Sequence, residues 1–81
     1  MEEDESFLLY PNPVSSELTL DFGSEGIRSV QLFNTMGKLL FETTSDWEQL
    51  KMDMTGFAKG IYFISVRDED NNITVKKFVK M

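Results

Sequence analysis

The sequence contains no cysteine and no histidine in 81 residues. Without cysteine, no disulfide and no thiolate metal site supports the small size. Without histidine, a Ser-His-Asp triad, an imidazole general base and a His-based zinc site are excluded. No run approaches the roughly 20 apolar residues of a membrane span, so this domain is not expected to insert into a bilayer. Basic residues are outnumbered, 8 Lys and Arg against 14 Asp and Glu, for a net charge of −6. A nucleic-acid partner is therefore not expected, because a phosphate backbone is held by an excess of cations. Nothing resembles a signal peptide: Met1-Glu2-Glu3-Asp4 is acidic where such a peptide begins basic. Met1 reads as a start residue placed before a fragment, with the parent protein and its own targeting signal outside the chain. There is no helical stripe, no internal repeat and no sign of a cofactor site.

What is present is enough for one small domain with a thin core: 41% apolar residues, among them seven Phe, two Tyr and one Trp. The charge is unevenly placed. Glu2, Glu3, Asp4 and Glu5 carry −4 of the net −6, and a like-charge run of this kind repels itself and orders poorly. Residues 1–6 are read as an acidic flexible linker and residues 7–81 as the folded domain. The other end is basic, with Lys76, Lys77 and Lys80.

The dominant period is two, the period of half-buried strands. Leu18, Leu20 and Phe22 alternate with polar residues. Val30 and Leu32 share one face, and Phe33 lies on the other, where it covers an edge or a second contact surface. Gly37, in Thr35-Met36-Gly37-Lys38, closes a hairpin turn before a returning strand at Leu39 to Thr43. Leu50, Met52 and Met54 mark a further strand, and Phe57 plugs the core from the loop after it. Tyr62, Ile64 and Val66 face one way in the strongest strand. Asp68 to Asn72 is a polar turn. The final strand is read with Ile73 and Val75 inward and a bulge at Lys76-Lys77. With Phe7 to Tyr10 as the first, about seven short antiparallel strands follow one another at sandwich intervals.

Tyr10-Pro11-Asn12-Pro13 interrupts this pattern. Neither proline can donate to a ladder, and each pushes its predecessor into an extended conformation, so the four residues fix a bend between extended segments. Other constellations are weaker. Asp68, Asp70 and Asn72 have the spacing that opens a calcium loop, but Ile73 and Val79 stand where glycine and a bidentate Glu belong, so a solvated turn is the simpler reading. Asn72-Ile73-Thr74 fits a three-residue glycan acceptor pattern. Asp21 and Glu42 could meet for acid–base work, though no spacing requires it. Trp47, between Asp46 and Glu48, is read as a buried cap on the core; exposed, it would suggest a sugar or protein contact.

Taken in order, Tyr10-Pro11-Asn12-Pro13, Leu18-Thr19-Leu20, Val30-Gln31-Leu32-Phe33-Asn34, Met36-Gly37-Lys38, Met52-Asp53-Met54, Gly60-Ile61-Tyr62-Phe63 and Lys77-Phe78-Val79-Lys80 resemble the type A C-terminal sorting domain of type IX secretion cargo. The resemblance covers about residues 8 to 81. One departure is visible: the family usually has Leu-Pro-Ala-Gly before its Tyr, and this chain has Phe57-Ala58-Lys59-Gly60. The resemblance implies a seven-stranded immunoglobulin-like β-sandwich that is not an enzyme. Its role would be an address label on a larger protein of Bacteroidetes. That protein would pass through the periplasm and the type IX outer-membrane translocon to the surface or medium, with a sortase-like peptidase usually removing the domain and attaching the passenger to surface lipopolysaccharide. Under that reading Lys76, Lys77, Phe78, Val79, Lys80 and Met81 form the recognition element, an exposed strand edge given direction by its lysines. Tyr10, Pro11, Asn12, Pro13, Gly37, Gly60 and Tyr62 are the structural motif. A strand-swapped homodimer is possible for such an edge. The competing reading is an immunoglobulin-like or fibronectin-like module that binds sugar or protein and is retained, since sandwiches host many functions.

Overall fold

A computed structural model describes residues 7–81; the acidic residues read above as a linker lie outside that range. Seven strands follow in chain order: β1 (Leu8–Tyr10), β2 (Glu17–Asp21), β3 (Arg28–Asn34), β4 (Leu39–Ser45), β5 (Gln49–Asp53), β6 (Gly60–Arg67) and β7 (Ile73–Lys80). They form a three-stranded sheet, ordered β1-β2-β5, and a four-stranded sheet, ordered β4-β3-β6-β7. Every strand pair is antiparallel. The period-two residues close the space between the sheets. Leu18, Leu20 and Met52 enter from one side, and Val30, Leu32, Tyr62, Ile64 and Val66 from the other. Phe7, Val14, Phe22 and Met54, from the segments flanking the strands, and Phe78 of β7 complete the core. Phe57 packs on its rim from the β5–β6 loop, as the sequence suggests.

Two hairpins are fixed by a side chain that gathers backbone amides. At β3–β4 the Asn34 Oδ1 accepts from the amides of Met36 (2.9 Å) and Lys38 (3.0 Å). Gly37 takes φ +81°, a conformation that disfavours any side chain. At β6–β7 the Asp68 Oδ1 accepts from the amides of Asp70 (2.9 Å) and Asn72 (3.0 Å). The hydrogen bond from the Asn72 amide is the main cause that holds the Asp68 carboxyl below its ordinary value. Asp68, Asp70 and Asn72 are thus organised by the turn itself.

Two expectations need correction. First, Ile73 and Val75 face outward, 57% and 58% exposed. The β6–β7 ladder runs without a break from Gly60↔Lys80 to Arg67↔Ile73, so there is no bulge at Lys76-Lys77. Phe78 points into the core, and strict alternation then carries Lys76 and Thr74 to the inner side. The irregularity lies instead between β3 and β4, after Leu32, where Leu40 is the extra residue. Second, Trp47 is 70% exposed. The backbone around it is tied to the β2–β3 loop by Phe22 N–H to Glu48 O (2.8 Å) and Gly26 N–H to Asp46 O (3.4 Å). The core end beneath is already filled by Phe7 against Phe22, whose ring lies 4.5 Å from the Arg28 guanidinium. Asp21 and Glu42, for which no spacing required a meeting, belong to different sheets, the first accepting from Gln49 and the second from Gln31.

Ile64 is fully buried in β6, between the partner strands β3 and β7. Ile64→Ala is expected to cost about 2–5 kcal/mol in urea unfolding, the sum of lost transfer energy and the cavity left behind. A loss below about 1 kcal/mol would remove Ile64 from the core.

Candidate recognition surface

The last strand holds the candidate recognition residues, and their settings follow from its phase. Phe78 is fully buried and stacks on Tyr62, ring centroids 5.7 Å apart. Tyr62 also meets Phe57 edge-on at 6.1 Å and donates its hydroxyl hydrogen bond to the Ala58 carbonyl. This is the logic of the tyrosine corner in immunoglobulin-type sandwiches. It fixes the turn before Gly60 in a chain that has no proline there, together with Phe57 N–H to Met54 O at 3.1 Å. Gly60 itself opens β6 with φ +150°.

The three lysines are not equivalent. Lys76 is half-buried, with Nζ 5.3 Å from the centre of the Phe7 ring. Lys80 is only 8% exposed and donates to the Met81 carbonyl at 2.9 Å. Lys77 stands on the solvent side of the sheet. A tail of exposed lysines therefore reduces to Lys77, flanked on its own strand by the outward residues Val75 and Val79. Met81 is exposed as well.

The bend at Tyr10-Pro11-Asn12-Pro13, with both X-Pro bonds cis, lies against this same strand. The Asn12 Oδ1 accepts from the Val79 amide at 3.0 Å, across 67 positions of sequence. Val14 follows: its amide donates to the Val79 carbonyl (2.8 Å) and its carbonyl accepts from the Met81 amide (2.8 Å). The Val14 side chain is fully buried, and the residue forms a parallel bridge with Lys80. Tyr10 is partly exposed, its hydroxyl 3.5 Å from Gln49 Nε2. The sequence pointed to the bend and to the tail separately. It did not reveal the contact between them, and Val14 escaped notice because a single buried valine after a proline carries no period.

These bonds fix which backbone groups of β7 remain open. Val79 turns its N–H and C=O away from β6, so Ile61↔Val79 is a non-hydrogen-bonded pair and every second residue repeats that phase. The bond from Asp68 N–H to Asn72 O (3.0 Å) continues the same alternation past the strand end. The outer groups of Val79 and Met81 are therefore occupied by Asn12 and Val14. Those of Ile73, Val75 and Lys77 meet no other strand among the described residues. The expected edge is open over half of its length and closed over the rest. Among the described residues no group of three or more metal-ligating side chains is gathered.

Comparison with known proteins bears on this geometry. A family model described as secretion system C-terminal sorting domain matches residues 8–81. An ulvan lyase of Nonlabens ulvanivorans is 32% identical over 72 residues, which is 88% of this chain and 14% of that protein. A β-agarase A of Zobellia galactanivorans is also 32% identical over 72 residues, 84% of this chain and 13% of that protein. The chain thus spans about one-seventh of the length of these relatives, and their enzymatic names describe much larger proteins. Among solved structures, PorZ of Porphyromonas gingivalis, an essential surface component of the type-IX secretion system, superposes with a TM-score of 0.81. The identity is 25%, over 95% of this chain and 12% of that one. A DUF3244 family protein from Bacteroides vulgatus, with an immunoglobulin-like β-sandwich, gives a TM-score of 0.79 at 12% identity, covering 94% of this chain and 85% of that one. The second likeness concerns the fold alone.

Asn12→Ala removes the acceptor of the Val79 amide and is expected to destabilise the domain by about 0.5–1.5 kcal/mol in denaturant titration. Asn12→Asp keeps an acceptor oxygen and should stay closer to the parent. Equal stability of all three proteins would show that the side-chain bond contributes nothing.

Proposed function

The chain belongs to the secretion system C-terminal sorting domain family, and we propose that it is the non-catalytic address label of a larger exported protein. The passenger crosses the inner membrane by an ordinary signal peptide and is held in the periplasm. The sorting domain then engages components of the type IX outer-membrane translocon. A sortase-like peptidase removes the domain, and the passenger is attached to the cell surface or released. The acidic residues 1–6 serve as the linker that such a peptidase reaches.

The observation that carries this reading is the family match across 8–81, nearly the whole folded domain. The geometry supports it. A label needs a rigid body and an accessible docking element. Here Phe78 and Lys80 seat the last strand, while Lys77, Val79 and Met81 stand outside it. Recognition of the segment Lys76 to Met81 then divides the work, the buried residues fixing the position of the exposed ones. A second reading, a retained module that contacts sugar or protein, is favoured by the exposed Trp47 between Asp46 and Glu48.

A reporter carrying a signal peptide and ending in residues 7–81 is expected to reach the surface or medium in a host with type IX machinery. The same reporter without the domain should remain in the periplasm. Within the domain, Lys77→Ala removes one exposed charge and should change stability by no more than about 0.5 kcal/mol. Poor export of this folded variant supports recognition through Lys77. Export equal to the parent places recognition elsewhere. Retention of the parent fusion in the periplasm would refute the address-label reading and favour the retained module.

A further inference from the structure

The two outer faces of the sandwich differ in chemistry. On the three-stranded sheet the outward registers pair Asp21 with Gln49 and Thr19 with Lys51, and Glu17 stands opposite Asp53, while Leu8 and Tyr10 of β1 add two exposed side chains at the edge beside Asp21 and a buried Thr19. Across β2 and β5 that is the polar face an antiparallel sheet normally turns to solvent. On the four-stranded sheet one outward row runs Leu39, Phe33, Phe63, Lys77 across β4, β3, β6 and β7. The neighbouring row pairs Ile61 with Val79, and beyond Ser65 and Arg67 lie Val75 and Ile73. Ile61, Leu39 and Val79 are exposed, Ile73 and Val75 more than half so. Apolar side chains thus continue across four strands where alternation should place polar ones. Contiguous exposed apolar surface of this kind marks a contact.

Lys77 stands inside this patch, with Phe63 opposite and Val75 and Val79 on either side along the strand. The other charge on β6 and β7 at this face is also a cation, Arg67. Glu42 lies on the far strand and accepts from Gln31 Nε2 at 2.9 Å, and Asp68, Glu69 and Asp70 stand in the turn beyond Arg67 and Ile73, away from Lys77. In a chain of net charge −6 the β6–β7 part of the patch therefore carries the opposite sign. The open backbone groups of Ile73, Val75 and Lys77 border the same patch along its β7 side.

We infer that the outer face of the four-stranded sheet, centred on Lys77, is the docking surface of this domain. Its occupant is a protein of the export machinery with an apolar face that sets a carboxylate against Lys77. This rests on the address-label reading and specifies the surface that the label presents. A second copy of the chain is the poorer occupant. Stacked face to face about an axis at Lys77, it would oppose two lysines in an apolar contact, where an unpaired charge is costly.

The test uses the complete 81-residue chain fused behind an exported reporter, with the same chain purified for stability and light scattering. Ile73→Thr with Val75→Thr replaces two exposed β-branched side chains by a third and keeps the strand. Lys77→Glu reverses the central charge, and Lys77→Arg preserves it. Lys51→Glu, on the opposite sheet, is the control. The threonine pair and Lys77→Glu are expected to melt within a few degrees of the parent and to lower the exported fraction tenfold or more. Lys77→Arg and Lys51→Glu should export as the parent does. Parent-like export by the threonine pair and Lys77→Glu overturns the docking surface and leaves the address-label reading standing. A parent dimer that these variants dissociate, with export unchanged, assigns the face to a second copy and likewise overturns it. A parent fusion that stays in the periplasm refutes the address-label reading itself, and this inference with it.

Discussion

The attachment of the last strand to the bend after the first is the contact on which the arrangement depends. β7 is an edge strand, laddered on one side only, and its final residues would otherwise be free to fray. Asn12 and Val14 supply the missing side through the Val79 amide, the Val79 carbonyl and the Met81 amide. Each bond is worth only about 0.5–1.5 kcal/mol net. Together with the buried Val14 and Phe78 side chains they set the phase of β7, and phase decides everything downstream. It sends Phe78 inward against Tyr62 and turns Lys77 outward. It also leaves the backbone edge open at Ile73, Val75 and Lys77 and closed beyond.

That division reconciles two opposing needs. An edge strand that is long, flat and open invites uncontrolled pairing with other chains. Covering its last residues shortens the open stretch, and a lysine in the middle of what remains discourages pairing with a second copy. The same lysine gives a chosen partner something to read. The polar β2–β5 face and the apolar four-stranded face divide the surface in the same way, one suited to solvent and the other to contact.

Much of this was legible in the residues. Leu18-Thr19-Leu20 and Tyr62 to Val66 alternate in sequence, so their strands and inward faces follow from period alone, although Thr19 on the outer side of β2 is buried as well. The ordered motifs from Tyr10 to Lys80 carry the family resemblance, which the match over 8–81 bears out. The phase of β7 was not legible. Ile73 and Val75 compete with Phe78 for the core, and no local rule ranks two β-branched residues against one aromatic. Phe78 prevails because Tyr62, already held by the Ala58 carbonyl, offers it a ring to stack on. Trp47 misled for a related reason: a large apolar residue argues for burial, but Phe7 and Phe22 had filled that end of the core. The pairing of Asn12 with Val79 spans most of the chain, and a sequence without repeats gives no hint of so distant a register.

Amide hydrogen exchange along β7 tests the central claim most directly, because it reads each backbone group separately. The Val79 and Met81 amides, bonded to Asn12 and Val14, should exchange roughly tenfold or more slowly than those of Ile73, Val75 and Lys77, which face outward without a strand partner. The Thr74, Lys76 and Phe78 amides, directed at β6, should be protected. Exchange at Val79 as fast as at Val75 would contradict the account. It would mean that the bend does not hold the last strand and that the whole edge is open.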